Sequence, residues 1–353
     1  MEKPTIKDVA RLAGVSFSTV SRVLNGKKNV QDIYVQKTMA AVRALNFKPN
    51  IAARIIRGQT GKLIGMLVPE IVTPFFSRIV NGAATRAQEL NQTILLKVSN
   101  RESDLERQCL EQFSELPIDG LIYSPLEMRE ARREQSALCV PSVVVARRRA
   151  IAHTPHIYVD NFKSGYISTK YLARLGRKRI CLVAGFWLPD TIRREALLHC
   201  AYDSGQSGAY SAYDRYLGYR KALAEDGLPF DENLVHICGF DYESGHNAMK
   251  EIFEKMLDLD AVIAPNDMTA AGIMNFLKRQ YIRIPESISV IGHGDALIPE
   301  VAEPPLTSIK QNPTEVGRRA VDAMNRLLRG ETADDEVVDV SLSIRASTCQ
   351  KHG

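Results

Sequence analysis

Six cysteines are scattered over 353 residues (Cys109, Cys139, Cys181, Cys200, Cys238 and Cys349) and never form a Cys-x-x-Cys pair. Most sit in apolar runs, so they read as buried free thiols of a reducing compartment rather than a disulfide framework. No apolar run approaches the roughly eighteen residues that a bilayer span needs, and no basic-then-apolar leader opens the chain. The expectation is therefore a cytoplasmic protein without a membrane partner. Histidine is sparse at seven. His153 and His156 have a metal-compatible spacing, but no Cys, Asp or Glu cluster joins them, so no metal site is expected. A paired histidine and nucleophile, a phosphate-cradling glycine loop and a cofactor fingerprint are all lacking, which argues against an enzyme and leaves no cofactor implied. After Ile344 there is no heptad tail of the kind that ties four chains together.

What is present is globular: 45% hydrophobic and 25% charged residues, in a length that suits two or three domains. The charge is uneven. Residues 1–60 hold eleven Lys or Arg against three Asp or Glu, a net +8, while the whole chain carries +5 and the remainder about −3. A basic head on a slightly acidic body points to a polyanion partner for the head alone.

Within that head Ile6, Val9, Ala10 and Ala13 recur at helical spacing. Gly14 ends the helix and Ser16 is placed to cap a second one. The second helix turns Val20, Val23 and Leu24 inward and leaves Phe17, Ser18, Ser21, Arg22 and Asn25 outward. Two short helices joined by a glycine-containing turn, the second with small polar groups at its start, form a helix-turn-helix. A third helix, about Asp32 to Leu45 with Val35, Met39, Val42 and Leu45 inside, completes a three-helix core. The alternative is a helical hairpin with a solvated basic face.

Asn50 to Gly58 is a capped segment too short to be helical alone in water. Ala52 and Ala53 permit close approach, Arg54 and Arg57 suit phosphates, and Ile55 or Ile56 offers a wedge for base pairs. An ordinary linker helix packing its isoleucines is the other reading. From Lys62 onward short apolar strands alternate with amphipathic helices, twice over, which predicts two parallel-sheet subdomains with a ligand cleft at their strand ends.

Thr5-Ile6-Lys7-Asp8-Val9-Ala10, Ala13-Gly14-Val15-Ser16, Thr19-Val20-Ser21-Arg22-Val23-Leu24-Asn25, Pro49-Asn50, Pro74-Phe75-Phe76, Val159-Asp160-Asn161, Asn266-Asp267 and Pro305-Leu306-Thr307 resemble the LacI/GalR family of bacterial transcription regulators over essentially the whole chain. The resemblance implies an α/β protein with a lambda-repressor-like three-helix head (1–48), a hinge helix and linker (49–61), a two-lobed periplasmic-binding-protein-like body (62–345) and a tail (346–353). The first lobe would hold 62–161 plus about 293–325, the second 162–292 plus about 326–345. It further implies a homodimer on a near-palindromic double-stranded DNA operator, acting as a repressor of carbohydrate-utilisation genes under allosteric control by a sugar or sugar derivative.

By position in the family, Phe17, Ser18 and Arg22 would read bases, and Ser16, Thr19, Ser21 and Asn25 would hold phosphates. Asn50, Ala53, Arg54 and Ile56 would serve the hinge in the minor groove. The cleft would be lined by Thr73, Phe75, Phe76, Asp160, Arg215, Asn266, Asp267, His293 and Asp295, with Asp267 capping a helix that begins at Met268.

Two departures stand out. His293-Gly294-Asp295 replaces an aromatic followed by two aspartates, so the carboxylate that often grips the effector is missing at 294. Gly185 to Arg215 is also much longer than usual. It is expected to carry a helix from Thr191 to Tyr202 and a flexible 203–208 tip. Tyr202, Tyr210, Tyr213, Tyr216 and Tyr219 fall in or just after it, either roofing the cleft or packing the insertion on the outer wall. Both departures leave room for control by a partner protein in place of a metabolite.

Overall fold

The computed structural model describes residues 4–24, 30–47, 62–126, 140–148, 154–186, 194–199, 211–255 and 258–351. The chain divides into a head, Met1–Gly61, and a body, Lys62–Gly353.

The head has helices α1 (Ile6–Ala13), α2 (Phe17–Leu24) and α3 (Asp32–Ala44). Thr5 opens α1 with a reciprocal capping box to Asp8, and Gly14 closes it in the left-handed region (φ 64°, ψ 33°), a conformation that costs glycine nothing. The chain then turns tightly enough for the Val15 N–H to bond the Ala10 carbonyl at 3.2 Å. Val9, Ala13, Val20, Ala41 and Phe47 make the core, with Ile6, Ala10, Val15, Leu24, Val42 and Leu45 against it. One inward assignment needs correction: Met39 is exposed, while Thr38 and Ala41 are buried on α3. The bulky thioether stays outside because small residues let α3 approach its neighbours closely. The hinge residues Asn50, Ala53, Arg54 and Ile56, and Asn25, lie outside the described residues.

The body contains two six-stranded sheets. Its first lobe is built from β1 (Leu63–Val68), α4 (Pro74–Glu89), β2 (Thr93–Val98), α5 (Ser103–Ser114), β3 (Gly120–Tyr123), β4 (Ser142–Val145) and β5 (His156–Val159). The second lobe follows with α6 (Asn161–Arg174), β6 (Ile180–Gly185), α7 (Arg194–Leu198), α8 (Ser211–Glu225), β7 (Val235–Cys238), α9 (Tyr242–Glu254), β8 (Ala261–Ile263), α10 (Asp267–Arg279), β9 (Ser289–Gly294), α11 (Ile298–Val301) and β10 (Thr307–Lys310). The chain finishes with α12 (Pro313–Leu328), β11 (Glu336–Val338) and β12 (Ser341–Ser343).

In sheet order the first lobe reads β11-β5-β4-β3-β1-β2 and the second β12-β10-β9-β8-β6-β7. All pairs are parallel except β10 with β12. Both faces of each sheet are covered, so the strands are continuous apolar runs: Ile64, Met66 and Val68 of β1 face one core and Leu67 the other.

This topology corrects the expected lobe boundaries. Thr307–Lys310 was assigned to the first lobe but pairs with β9 of the second, Thr307 opposite Ile291. Glu336–Val338 was assigned to the second but pairs with β5 of the first, Val337 opposite Tyr158. Strands this short carry no periodicity of their own, and pairing with the open sheet edges decides where they go. The chain therefore crosses between lobes after β5, between β10 and α12, and between β11 and β12.

Each lobe is tightened by glycines at helix crossings. A Cβ on Gly82 of α4 would overlap the Thr314 carbonyl, and one on Gly317 of α12 the Ile79 carbonyl. Gly165 and Gly218 pair α6 with α8 in the same way, as Gly245 and Gly272 pair α9 with α10. No helix of the described residues is long and apolar enough to cross a membrane. At these crossings backbone meets backbone, leaving no side chain to yield. Gly82→Ala or Gly317→Ala is expected to lower stability by about 1–3 kcal/mol, the usual cost of overpacking. The measure is a drop in the urea midpoint at unchanged m value; a wild-type midpoint in both would disprove the close crossing.

Candidate functional site

On the head, the outer face of α2 is polar and accessible. Ser16 Oγ accepts the Thr19 N–H at 3.1 Å and lies 2.8 Å from both the Ser18 and Thr19 hydroxyls. Ser16 thus serves as the N-cap of α2, fixing the start of the helix. Phe17 is 44% exposed, Ser18 and Arg22 are exposed, and Ser21 and Thr19 are half-buried. Arg22 makes no hydrogen bond or ion pair within the described residues, so its planar five-donor fork points to solvent.

On the body, the C-terminal ends of the strands in both sheets converge on a cavity of about 520 Å³. A parallel sheet puts ligands there because the loops and helix N-termini that follow each strand gather at that edge. Thr73, Phe75, Phe76, Arg215, Asn266, Asp267 and His293 all line it. Asp160 and Asp295 do not. The Asp160 carboxylate caps α6, accepting the Lys163 N–H at 2.8 Å. Asp295 is held by Arg345 at 2.7 Å and by the Ser343 hydroxyl at 2.8 Å, away from the cavity. Each carboxylate is drawn to its own nearest donors, so motif position alone misplaced them.

Asp267, by contrast, is not a cap. Asn266 caps α10, its Oδ1 accepting the Thr269 N–H at 2.7 Å while its Nδ2 donates to the Phe240 carbonyl at 2.7 Å. Asp267 instead takes the Ser308 hydroxyl at 2.5 Å and backbone N–H groups of Ala296 and Asp295. Burial pushes its carboxyl up to about 6 despite those donors.

Arg215 anchors the cavity floor. Its Nε donates to Asn161 Oδ1 at 3.0 Å and its Nη1 to the Pro265 carbonyl at 2.7 Å, with the residue only 9% exposed. Burial draws the guanidinium down to about 10, and neighbouring Asp214 and Asp267 partly offset this, so it stays charged at neutral pH. Across the cleft Arg101 bonds Glu70 at 3.1 Å and lies over the Phe76 ring, 5.7 Å from its centroid. Burial lowers Arg101 to about 9, and Glu70 counters that shift. Glu70 also receives the Thr73 N–H at 2.8 Å and the Thr73 hydroxyl. The arrangement is a built polar floor under an aromatic wall, with, among the described residues, no reactive dyad and no group of three metal ligands.

Several lining residues went unread in the sequence: Glu70, Arg101, Asn161, Phe186, Phe240 and Gln311. A signal was there. Phe186 and Gln311 each directly follow a strand, and Phe240 comes two residues after one. The tyrosines of the insertion resolve toward packing. Tyr213 lies edge-on to Phe186 at 5.8 Å, Tyr216 donates to the Leu198 carbonyl at 3.0 Å and Tyr219 to the Ile180 carbonyl at 2.9 Å. All three belong to the core of the second lobe, so they do not roof the cleft. Of the expected helix from Thr191 to Tyr202, the described part is α7; Tyr202, Tyr210 and the 203–208 tip lie outside the described residues, as does His153.

Residues 61–350 match the family described as periplasmic binding proteins and sugar binding domain of LacI family, and residues 5–50 match bacterial regulatory proteins, lacI family. The chain belongs to the LacI family. Its relatives include the HTH-type transcriptional repressor PurR of Vibrio atlanticus (strain LGP32), 29% identical over 95% of each chain. Among solved structures, the Lac repressor dimer bound to operator and the anti-inducer ONPF matches with a TM-score of 0.83 at 25% identity, covering 99% of this chain and 100% of that one. A transcriptional regulator CelR–cellobiose complex matches with a TM-score of 0.71 at 27% identity, covering 98% and 99%. This LacI-family chain is accordingly a DNA-binding transcription regulator with a ligand-binding body, not an enzyme.

The Asp267 shift has a measurable consequence. A carboxyl whose folded pKa lies at about 6, above the ordinary aspartate value of 3.8, favours the fold while protonated. Its contribution is complete below the unfolded pKa and is lost as pH rises through the folded one. Asp267→Asn is expected to flatten the dependence of unfolding free energy on pH between about 4 and 6, removing a loss on the order of 2–3 kcal/mol. Urea titrations of both proteins at several pH values measure it, and parallel curves would show that Asp267 is ionised throughout.

Proposed function

We propose that this regulator is a repressor whose affinity for a near-palindromic operator is set by a small polyhydroxylated effector, a saccharide or its derivative, in the interlobe cavity. The observation that carries the reading is the cavity itself. About 520 Å³ lies within the range of small-molecule sites, and it joins phenyl rings to amide, guanidinium, carboxyl and imidazole groups. Rings stack on the C–H face of a sugar while the polar set exchanges hydrogen bonds with its hydroxyls. A concave pocket of this kind favours a metabolite over a partner protein as the controlling signal.

In this reading two heads of a homodimer enter successive major grooves, with Arg22 on a guanine edge, Phe17 against a thymine methyl and Ser18 beside them. Ser16, Thr19, Ser21 and Asn25 hold phosphates and set register. The segment with Asn50, Ala53, Arg54 and Ile56 orders in the minor groove, and effector binding biases it through the angle between the lobes. Its work on DNA belongs in the bacterial cytoplasm. A second reading, a flat heteroaromatic base as effector, is favoured by the four rings Phe75, Phe76, Phe186 and Phe240 around the cavity.

Selection of duplexes by the full chain, followed by fluorescence anisotropy with and without sugars and purines, tests the proposal. An operator is expected whose affinity changes about 5–150-fold on effector binding, the usual range of allosteric coupling. No preference over random duplex under any of these conditions would refute it. On that operator Arg22→Ala is expected to cost about 1–3 kcal/mol and to relax the preference at a single base pair in each half-site. Uniform weakening across all positions would instead make Arg22 a phosphate contact.

A further inference from the structure

His293 is 2% exposed at the end of β9, and its Nδ1 lies 2.8 Å from the Ala264 carbonyl. A carbonyl oxygen only accepts, so Nδ1 carries the hydrogen and Nε2 is left with a lone pair. Burial, then the charge of Arg215, holds the ring well below its usual pKa, so the imidazole is neutral. Nε2 is buried and has no hydrogen-bond partner among the described residues. A buried acceptor left open in this way is costly unless something fills it.

The space beside the ring is suited to that. A niche of about 10 Å³, roughly the least that holds one water molecule, has ten lining residues, of which His293, Arg215, Ser211, Gly185 and Pro265 also line the main cavity. It adjoins the cavity floor and is about the size of one oxygen atom. Arg215 spends Nε on Asn161 and Nη1 on Pro265, and no described residue takes a hydrogen bond from its Nη2.

We propose that His293 determines specificity in the cleft: one ligand hydroxyl enters the niche, donates to Nε2 and accepts from the Arg215 guanidinium. The inference rests on the reading of the cavity as a site for a polyhydroxylated ligand and narrows it. A hydroxyl both donates and accepts, whereas an ether or carboxylate would oppose its lone pairs to that of Nε2. Ligands that present only an acceptor at this position are therefore rejected.

The test uses the full chain with isotope-labelled histidine and cellobiose as the probe. Nitrogen NMR is expected to show Nε2 unprotonated at neutral pH, with its resonance shifting as cellobiose saturates the protein. His293→Phe keeps a ring and removes the acceptor, and is expected to weaken cellobiose binding by about tenfold or more. His293→Gln returns an acceptor oxygen and is expected to recover part of that loss. A protonated Nε2, a resonance unmoved with cellobiose bound, or wild-type affinity in His293→Phe would each overturn the inference. If cellobiose does not bind the wild-type chain, that failure belongs to the saccharide reading. The niche is then judged on the ligand-free crystal structure: an ordered water on an unprotonated Nε2 supports the assignment, and a dry niche overturns it.

Discussion

The cleft depends on one buried cation. Arg215 reaches from α8 to the Asn161 side chain, just past the first crossing between lobes, and to the Pro265 carbonyl at the end of β8. Among the described residues no carboxylate bonds it directly, although Asp214 and Asp267 lie close enough to favour its charge. A buried guanidinium survives only where hydrogen bonds replace its hydration, and breaking such an arrangement typically costs about 3–5 kcal/mol. Its charge also helps keep His293 neutral. The protonation state of the cleft floor follows first from burial, and at His293 the guanidinium adds to it.

The proposed effector control would act through the crossings between the lobes. Asn161 follows the first crossing strand and Gln311 sits at the second crossing, and both line the cavity. Under the proposed function, a ligand contacting them would touch the segments that join the lobes, while glycines hold the helix pairs within each lobe at close approach. Stiff lobes and a few shared crossing residues are the requirements of a hinge.

Much of this was legible in the chain. The capping pattern around Gly14 and Ser16 and the +8 charge of residues 1–60 identified a nucleic-acid reader, since caps and charge are local properties. Alternating apolar strands and amphipathic helices gave two parallel sheets. The lining at Thr73, Phe75, Phe76, Arg215, Asn266, Asp267 and His293 followed from motif position. Asp160 and Asp295 did not, because a carboxylate goes to whichever donor the fold brings nearest: the Lys163 amide in one case and Arg345, fifty residues further along the chain, in the other.

By itself, then, the sequence determined the helix-turn-helix, the doubled α/β pattern and the separation of basic head from acidic body. These arise from interactions between residues a few positions apart, or from sums over composition. The tertiary structure alone decided which sheet receives Thr307–Lys310 and Glu336–Val338, that Tyr213, Tyr216 and Tyr219 belong to a core, and that His293 keeps an open acceptor. Each of those outcomes turns on contacts between segments far apart in the chain, where pairing at a sheet edge and burial against a distant helix outweigh any local preference.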